Sequence, residues 1–446
     1  MKKNNSRIAI IGLGKTGLSV AKYLKINSKN FDVYDTRKDL FISKEIKKYI
    51  NKKNIFLGNF NKNIVANYEN FIISPGLKLK KDFINEIIKK NKNIETDIDI
   101  YNKENSCKTI CVTGSNGKTT VTSMLEHIIA GLGKKVKAGG NIGLPALELL
   151  DQDCEYNILE LSSFQLEMTR KINCIAATIT NITPDHLDRH DTFNNYIKIK
   201  HKIFNNTKNI IINRDDMNIL KENYKYKYTF GGNKPKNNNE FGISIKKGKK
   251  YIFHGDKELL CEDQIQLIGK HNLINACTCL CILCSLKFDV KDIVNQIKSF
   301  LPLEHRMENF YNSGKVRWIN DSKATNIDST ISAINSLEEN IILILGGKLK
   351  KDNYDKLNNV ITNKVRQIII YGESRDTLEE IIKEKDKVSK VINIEDAVNK
   401  AKYFAQKLIK DHKCLVYILL SPACSSYDMF ESYEERGLYF KKCVLE

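Results

Sequence analysis

Residues 110–125 read ICVTGSNGKTTVTSML: an apolar run, a glycine-bearing turn, Lys118, two threonines and then helix-forming residues. Those residue types in that order suit the binding of a polyphosphate. Backbone N–H groups from Ser115 and Asn116 through Thr119 can wrap phosphate oxygens, and Lys118 can neutralise the bridging charge. The helix that follows adds its positive end. Thr119 or Thr120 offers a hydroxyl to Mg2+. The loop from Gly114 through Gly117 to Thr120 is shorter than the G-x-x-x-x-G-K-[ST] pattern, because Val112 stands where its first glycine would. ATP with Mg2+ is the expected ligand.

A magnesium-bound nucleotide needs hard oxygen ligands from neighbouring strand ends. Glu160, closing YNILE, is the first, and Ser162, Ser163 and Gln165 follow it. TPDHLDRH carries Asp185, His186, Asp188 and His190. That cluster suits a zinc site, a capped helix start, or a magnesium- or substrate-orienting role for His186. Lys200 in YIKIKHKIF reads, from composition alone, as one of many solvated lysines. In NDSKATN, Asp321 and Lys323 stand close enough to touch a ribose hydroxyl and a γ-phosphate, and Arg306 adds a cation for charge developing on a phosphoryl group. GGKLKKD supplies Lys348, Lys350 and Lys351 for a carboxylate substrate. SPACSSYDMFESY then brings Ser421, Ser425 and Ser426 ahead of Tyr427, Phe430 and Tyr433.

Three α/β blocks must position these groups. In residues 1–102, the strand RIAIIGLG turns through Gly12, Gly14 and Gly17 into a helix expected to start near Leu18. FDVYD ends at Asp35, and a third strand, NFIIS, leads into Pro75 and Gly76. This is a Rossmann-like beginning that alone would say dinucleotide binding. Residues 103–300 hold the phosphate-loop strand, then YNILE, CIAATIT and NIIIN, short apolar strands separated by helix-length segments as in a parallel sheet. EFGISIKKGKKYIFHG adds a small accessory hairpin. Residues 301–446 repeat the α/β pattern with KVRWIND, NIILILGG, VRQIIIYG and CLVYILLSP, a second Rossmann-like domain.

The chain has 446 residues, 28% charged and 41% hydrophobic, the composition of a globular protein. Its formal charge of +19 comes from lysines scattered among asparagine and isoleucine. No aromatic-interleaved basic stripe marks a nucleic-acid surface, so none is expected. The apolar run before the first glycines is too short for a signal peptide and no span reaches membrane length, so a cytoplasmic chain with reduced thiols and no membrane contact is expected. Cys277, Cys279, Cys281 and Cys284 do not converge easily on one ion and read as small core residues.

Taken in order, GLGKTG, SPG, TGSNGKTT, GGNIGLPAL, LELSSFQLE, ITPDHLDRH, EHR, NDSKATN, the GG-x-x-K stretch and SPACSSYDMF resemble the Mur ligase family over essentially the whole chain. The resemblance implies an ATP-dependent ligase that joins UDP-N-acetylmuramoyl-L-alanine to D-glutamate. By that likeness, Lys15, Thr16, Asp35, Thr36, Arg37, Ser74 and Gly76 lie near the UDP end of the substrate, with Asn141, Ser163 and Gln165 farther along it. Asn141, Glu160 and His186 would surround magnesium and substrate phosphates, while Asn272, Arg306, Asp321 and Lys323 complete the nucleotide site. Thr325, Lys350, Ser426 and Tyr433 would form the D-glutamate pocket, with Lys350 preferred to Lys348 by its spacing from the glycine pair. The likeness also reverses the reading of Lys200, whose place after Asn195 and Tyr196 matches a lysine that the family carboxylates with CO2. A monomer is expected, with its third domain closing onto its second. Position 433 is tyrosine where the family commonly has phenylalanine.

The alternatives are a relative that adds another amino acid, a folylpolyglutamate-type ligase, or a scaffold that has lost catalysis. The last would lack Lys118, Glu160 or the NDSKATN residues, and all are present.

Overall fold

The computed structural model describes residues 7–58, 62–77, 81–150, 153–222, 224–337, 339–350, 353–361, 364–412 and 414–446. It divides into two compact units, one comprising residues 1–242, 253–259 and 275–296, the other residues 243–252, 260–274 and 297–446.

The first unit opens with a five-stranded parallel sheet in the spatial order Ile55–Leu57, Phe31–Asp35, Ile8–Ile11, Asn70–Ile73, Asn93–Glu95. Strand Ile8–Ile11 is flanked by the second and fourth strands in sequence, so the strand order reverses beside it. Its C-terminal end is therefore the crevice where open α/β sheets bind ligands. The helix after it spans Lys15–Ile26, beginning three residues before the expected start near Leu18, because Gly14 already serves as its N-cap. Gly17 allows that helix to approach: a Cβ there would sit 1.9 Å from the Gly12 carbonyl oxygen.

In the nine-stranded sheet, strand Lys108–Thr113 lies between Cys174–Ile179 and Tyr156–Glu160, all parallel. The register sets Glu160 opposite Val112, one residue before the loop strand ends. Glu240–Lys246 and Lys249–His254 are neighbouring strands joined by Lys247 and Gly248, both at positive φ, as a tight hairpin turn requires. The first two sequence blocks share one apolar core, from Ile10 and Val33 through Ile98 and Tyr101 to Leu159 and Ile179. Lys22 reaching Glu148 at 3.1 Å and Arg189 donating to the Leu77 carbonyl at 2.6 Å add polar ties between them.

The second unit carries a six-stranded sheet ordered Glu308–Ser313, Val316–Asn320, Val416–Leu420, Ile341–Gly346, Val365–Tyr371, Val388–Lys390. It is parallel except for the first pair. Ile341, Leu343 and Leu345 enter one core, and Ile342 and Ile344 the core on the opposite face. Burial on both faces is why these strands read as unbroken apolar runs. Cys277, Cys279 and Cys281 are buried on helix Lys270–Ser285, and burial pushes the Cys277 thiol up to about 12. Among the described residues, no helix is long and apolar enough to cross a membrane.

Candidate active site

The loop after strand Lys108–Thr113 is held from below by side chains on the next strand's exit. Asn181 accepts from the Asn116 N–H through Oδ1 at 2.9 Å and returns a bond to the Asn116 carbonyl at 3.0 Å. Thr180 Oγ1 donates to the same carbonyl at 2.5 Å. Ser115 Oγ lies 3.1 Å from the Tyr196 hydroxyl and donates to the Thr183 carbonyl at 2.9 Å. Gly114 has φ +151°, and a Cβ there would sit 1.9 Å from Thr180 Oγ1, so only glycine fits. Gly117, at φ 83°, caps helix Lys118–Gly131, which buries Thr120 and leaves Thr119 and Lys118 half-buried at its N-terminus. Asn275 Oδ1 would lie 2.7 Å from a Cβ at Gly117, which places this amide over the loop. The supporting groups Asn181, Thr180, Tyr196 and Asn275 went unremarked in the sequence as site residues. Thr180 and Asn181 could be found from the strand end they follow, whereas Tyr196 and Asn275 lie within helices Phe193–His201 and Lys270–Ser285 and carry no such signal.

Two lysines converge on this loop. Lys118 Nζ donates to the carbonyls of Gly114 and Ser115 at 2.8 and 2.9 Å. Lys200 Nζ donates to the same Gly114 oxygen at 2.8 Å and lies 4.7 Å from the Tyr196 ring centroid. Lys200 is 1% exposed, so it is no surface group. Burial first, then the charge of Lys118, holds its pKa well below the ordinary lysine value, against the pull of Asp185 and Glu160.

Beside them, Glu160 is 1% exposed; its Oε1 accepts from Asn141 Nδ2 at 2.8 Å, while Oε2 is buried without a hydrogen-bond partner. An orphaned carboxylate oxygen at the end of the strand paired with the phosphate-loop strand is a donor that suits magnesium. Glu160, Thr119 and His186 are the residues that could hold the ion. His186, at φ 52°, caps the short helix Leu187–His190 through its backbone. Asp185 makes no side-chain cap for it and instead accepts from the His186 N–H at 2.9 Å.

An open cleft of about 260 Å³ runs past these groups, lined by Lys15, Thr16, Pro75 and Gly76 on one side and Asn141, Ser162, Phe164 and Gln165 on the other. Lys15 and Thr16 are the first residues of helix Lys15–Ile26, whose N-terminal N–H groups favour an anion. Asp35 is not open to a ligand in this structure: its carboxylate accepts from Leu13 N at 2.7 Å and from the Arg37 backbone and guanidinium. Burial raises its pKa, but the Arg37 and Leu13 donors outweigh that and leave it below the usual range. Thr36 and the Arg37 side chain are exposed. Ser74 donates to the Gly12 carbonyl at 3.2 Å.

Ser162, not Ser163, lines the cleft. Ser163 is 3% exposed and its hydroxyl lies 2.9 Å from Nε2 of the fully buried His190, whose Nδ1 is 3.8 Å from Glu167. Alternate residues of a helix's first turn point to different sides, a distinction that adjacent serines do not reveal in sequence. Gln165 Oε1 closes a capping box with Ser162, and both residues line the cleft.

In the second unit, Lys323 Nζ lies 3.5 Å from the Tyr433 ring centroid, a close cation–π contact. Lys350 Nζ is 3.5 Å from Thr325 Oγ1. Lys348 is instead exposed, 4.0 Å from Glu373; Lys351 and the Asp188 side chain lie outside the described residues. Ser426 is buried and Arg306 half-buried. Asp321 is enclosed, accepting from Met307 N at 3.2 Å and from Ser421 Oγ at 2.8 Å, and burial pushes its pKa up to about 7. Asn272 donates to the Ile268 carbonyl at 2.8 Å.

A parallel sheet with a glycine-turned phosphate loop, a strand-end glutamate and a cleft at its mouth defines a nucleotide-dependent, phosphate-loop enzyme. The chain matches the Mur ligase middle domain over residues 112–283, the Mur ligase MurD-like N-terminal domain over 6–96, and the Mur ligase glutamate ligase domain over 305–417. It is 36% identical to the UDP-N-acetylmuramoylalanine--D-glutamate ligase of Legionella pneumophila (strain Paris), with 99% of each chain covered. Among solved structures it resembles a pseudomurein peptide ligase type C from Methanothermus fervidus, at a TM-score of 0.63 and 18% identity, with 99% of each chain covered. It also resembles a MurF ligase from Thermotoga maritima in complex with ADP, at a TM-score of 0.59 and 16% identity, covering 100% of this chain and 98% of that one. The chain belongs to the Mur ligase family.

Proposed function

We propose that this protein forms an amide bond between UDP-N-acetylmuramoyl-L-alanine and D-glutamate, using ATP to convert the alanyl carboxylate to an acyl phosphate and releasing ADP and phosphate. The observation that carries the reading is the pairing of Lys118 and buried Lys200 on the Gly114 oxygen, together with the unpartnered oxygen of Glu160, whose other oxygen is held by the cleft residue Asn141.

Lys118 exchanges its carbonyl partners for phosphate oxygens, and the N–H groups of Ser115 to Thr119 hold the remaining charge. Thr119, Glu160 and His186 would hold magnesium, which would supply charge neutralisation at the transferring phosphoryl group. Lys15, Thr16, Thr36, Arg37 and Gly76 bind the UDP end. Asn141, Ser162 and Gln165 orient the substrate toward the phosphate loop. Arg306, Asp321, Lys323 and Asn272 serve the nucleotide, and Lys350 and Thr325, with Ser426 and Tyr433, take D-glutamate. The neutral amine attacks the acyl carbon, the C–N bond forms, phosphate leaves with the C–O bond electrons, and the surplus N–H proton passes to solvent. The neutral Lys200 amine that its lowered pKa supplies attacks CO2, the N–C bond forms as one C=O bond opens to the carboxylate, and an N–H proton passes to solvent, leaving a carbamate anion beside Lys118. The chain acts as a cytoplasmic monomer, with three domains bounded near residues 102 and 300.

The test is phosphate release, which should require UDP-N-acetylmuramoyl-L-alanine, ATP and D-glutamate together. Preferential incorporation of L-alanine, diaminopimelate or L-lysine would overturn the choice of amino acid.

A further inference from the structure

Among the described residues, Arg436 in helix Tyr433–Leu445 is one of the largest fully buried side chains, at 0% exposure. Among the described residues no carboxylate stands within ion-pair distance of it. Its guanidinium is instead surrounded by loop backbone. Nε donates to Ser322 Oγ at 3.0 Å, Nη2 to the Ser322 carbonyl at 2.9 Å, and Nη1 to the Cys424 carbonyl at 3.1 Å and the Gly346 carbonyl at 3.5 Å. Gly347 lies flat against it: at φ +127°, a Cβ there would come within 3.1 Å of Nη1. Ser322 Oγ in turn donates to the Tyr433 carbonyl at 2.8 Å.

These contacts join the exits of strands Val316–Asn320, Ile341–Gly346 and Val416–Leu420 to one helix start. Those same four segments carry Lys323 and Thr325, Lys350, Ser426, and Tyr433. A buried, unneutralised guanidinium is a poor stabiliser, since apolar side chains of similar volume often serve stability as well or better. What a planar five-donor fork supplies, and an apolar side chain does not, is a fixed angle between several carbonyls at once.

We propose that Arg436 is a positioning residue for the amino-acid substrate: it locks the three strand-exit loops and the start of the last helix into one pocket, and gives that pocket a positive charge suited to a dicarboxylate. The inference rests on the assignment of the amino-acid pocket to these loops. Lysine at 436 keeps the charge but loses the fork, and methionine loses both.

The experiment measures steady-state kinetics of Arg436→Lys, Arg436→Met and Ser322→Ala, with thermal midpoints measured in parallel. The KM for D-glutamate should rise about tenfold in the lysine variant, more in the methionine variant, and about threefold in Ser322→Ala. The KM for UDP-N-acetylmuramoyl-L-alanine, whose proposed contacts lie in the first unit, should stay within twofold, and kcat within about threefold. A D-glutamate KM within twofold of wild type in the folded variants overturns the proposal, as does a parallel rise of both KM values that follows the thermal midpoint. If neither Arg436 variant folds, Ser322→Ala alone decides, because it removes only the hydroxyl between Arg436 and Tyr433. If wild-type protein takes another amino acid instead of D-glutamate, the functional reading falls. Arg436 is then judged by the KM for that amino acid.

Discussion

Lys118 and Lys200 share one carbonyl oxygen, and two ammonium groups so placed repel each other. The conflict is relieved if Lys200 is neutral, the direction in which burial and Lys118 both push it. An amine in that state reacts with CO2, so protein in carbon-13 bicarbonate should show a carbamate resonance. The signal should grow as pH rises through the amine's lowered pKa, because more of the amine is neutral, and Lys200→Arg should abolish it. Absence of the signal in wild type would leave Lys200 a purely structural donor to the Gly114 carbonyl. Lys118→Ala should lower kcat by about 100-fold or more, the usual consequence of removing a preorganised donor at a transferring phosphoryl group. Lys350→Ala should raise the D-glutamate KM by about tenfold, the scale of one charge-assisted hydrogen bond, while Lys348→Ala should not.

At the scale of elements, the phosphate loop depends on a neighbouring strand exit. Gly114→Ala drives a methyl into Thr180 Oγ1 and should abolish ATP binding measured by calorimetry, whereas Gly14→Ala, where a Cβ meets nothing within 4 Å, should leave it intact. The loop itself was legible in TGSNGKTT because glycines, lysine and threonines are required by the backbone's approach to phosphate. The apolar strands were legible because burial on both faces writes a continuous run. Short strands were not: Ile55–Leu57 and Val388–Lys390 are three-residue edges, and Val136–Gly140 reads VKAGG, without alternation or β-branched density. Arg436 escaped notice because nothing in EERGLYF distinguishes a buried arginine from a solvated one. Only the tertiary fold folds carbonyls around it. Lys200 shows the same limit, since its burial comes from packing under the loop.

For the molecule as a whole, Asp97 links pH to stability. It begins helix Asp97–Glu104, is 2% exposed, has one carboxylate oxygen unpartnered, and burial raises its pKa to about 7. A carboxyl whose folded pKa is raised contributes stability that is fully present below about pH 4 and is lost as pH rises through 7. Asp97→Asn should therefore be more stable than wild type at pH 8, on the order of 2 kcal/mol, and should lose that advantage near pH 4. Thermal midpoints across that range check the sign. Solution scattering should show a smaller radius of gyration when an ATP analogue and the nucleotide sugar are added together. An unchanged value would count against domain closure during turnover.

The buried contact between Ser163 and His190 has one more meaning. An enzyme that makes an acyl phosphate holds a potent electrophile in its cleft, and any activated hydroxyl within reach would be acylated and then hydrolysed, wasting ATP. Serine, histidine and glutamate at these distances are the parts of a hydrolase nucleophile. Here the serine is buried against His190, while its neighbours Ser162 and Phe164 line the cleft in its place. The three residues that could destroy the intermediate as a unit are thus confined to the wall, and this serine does not compete with the incoming amine.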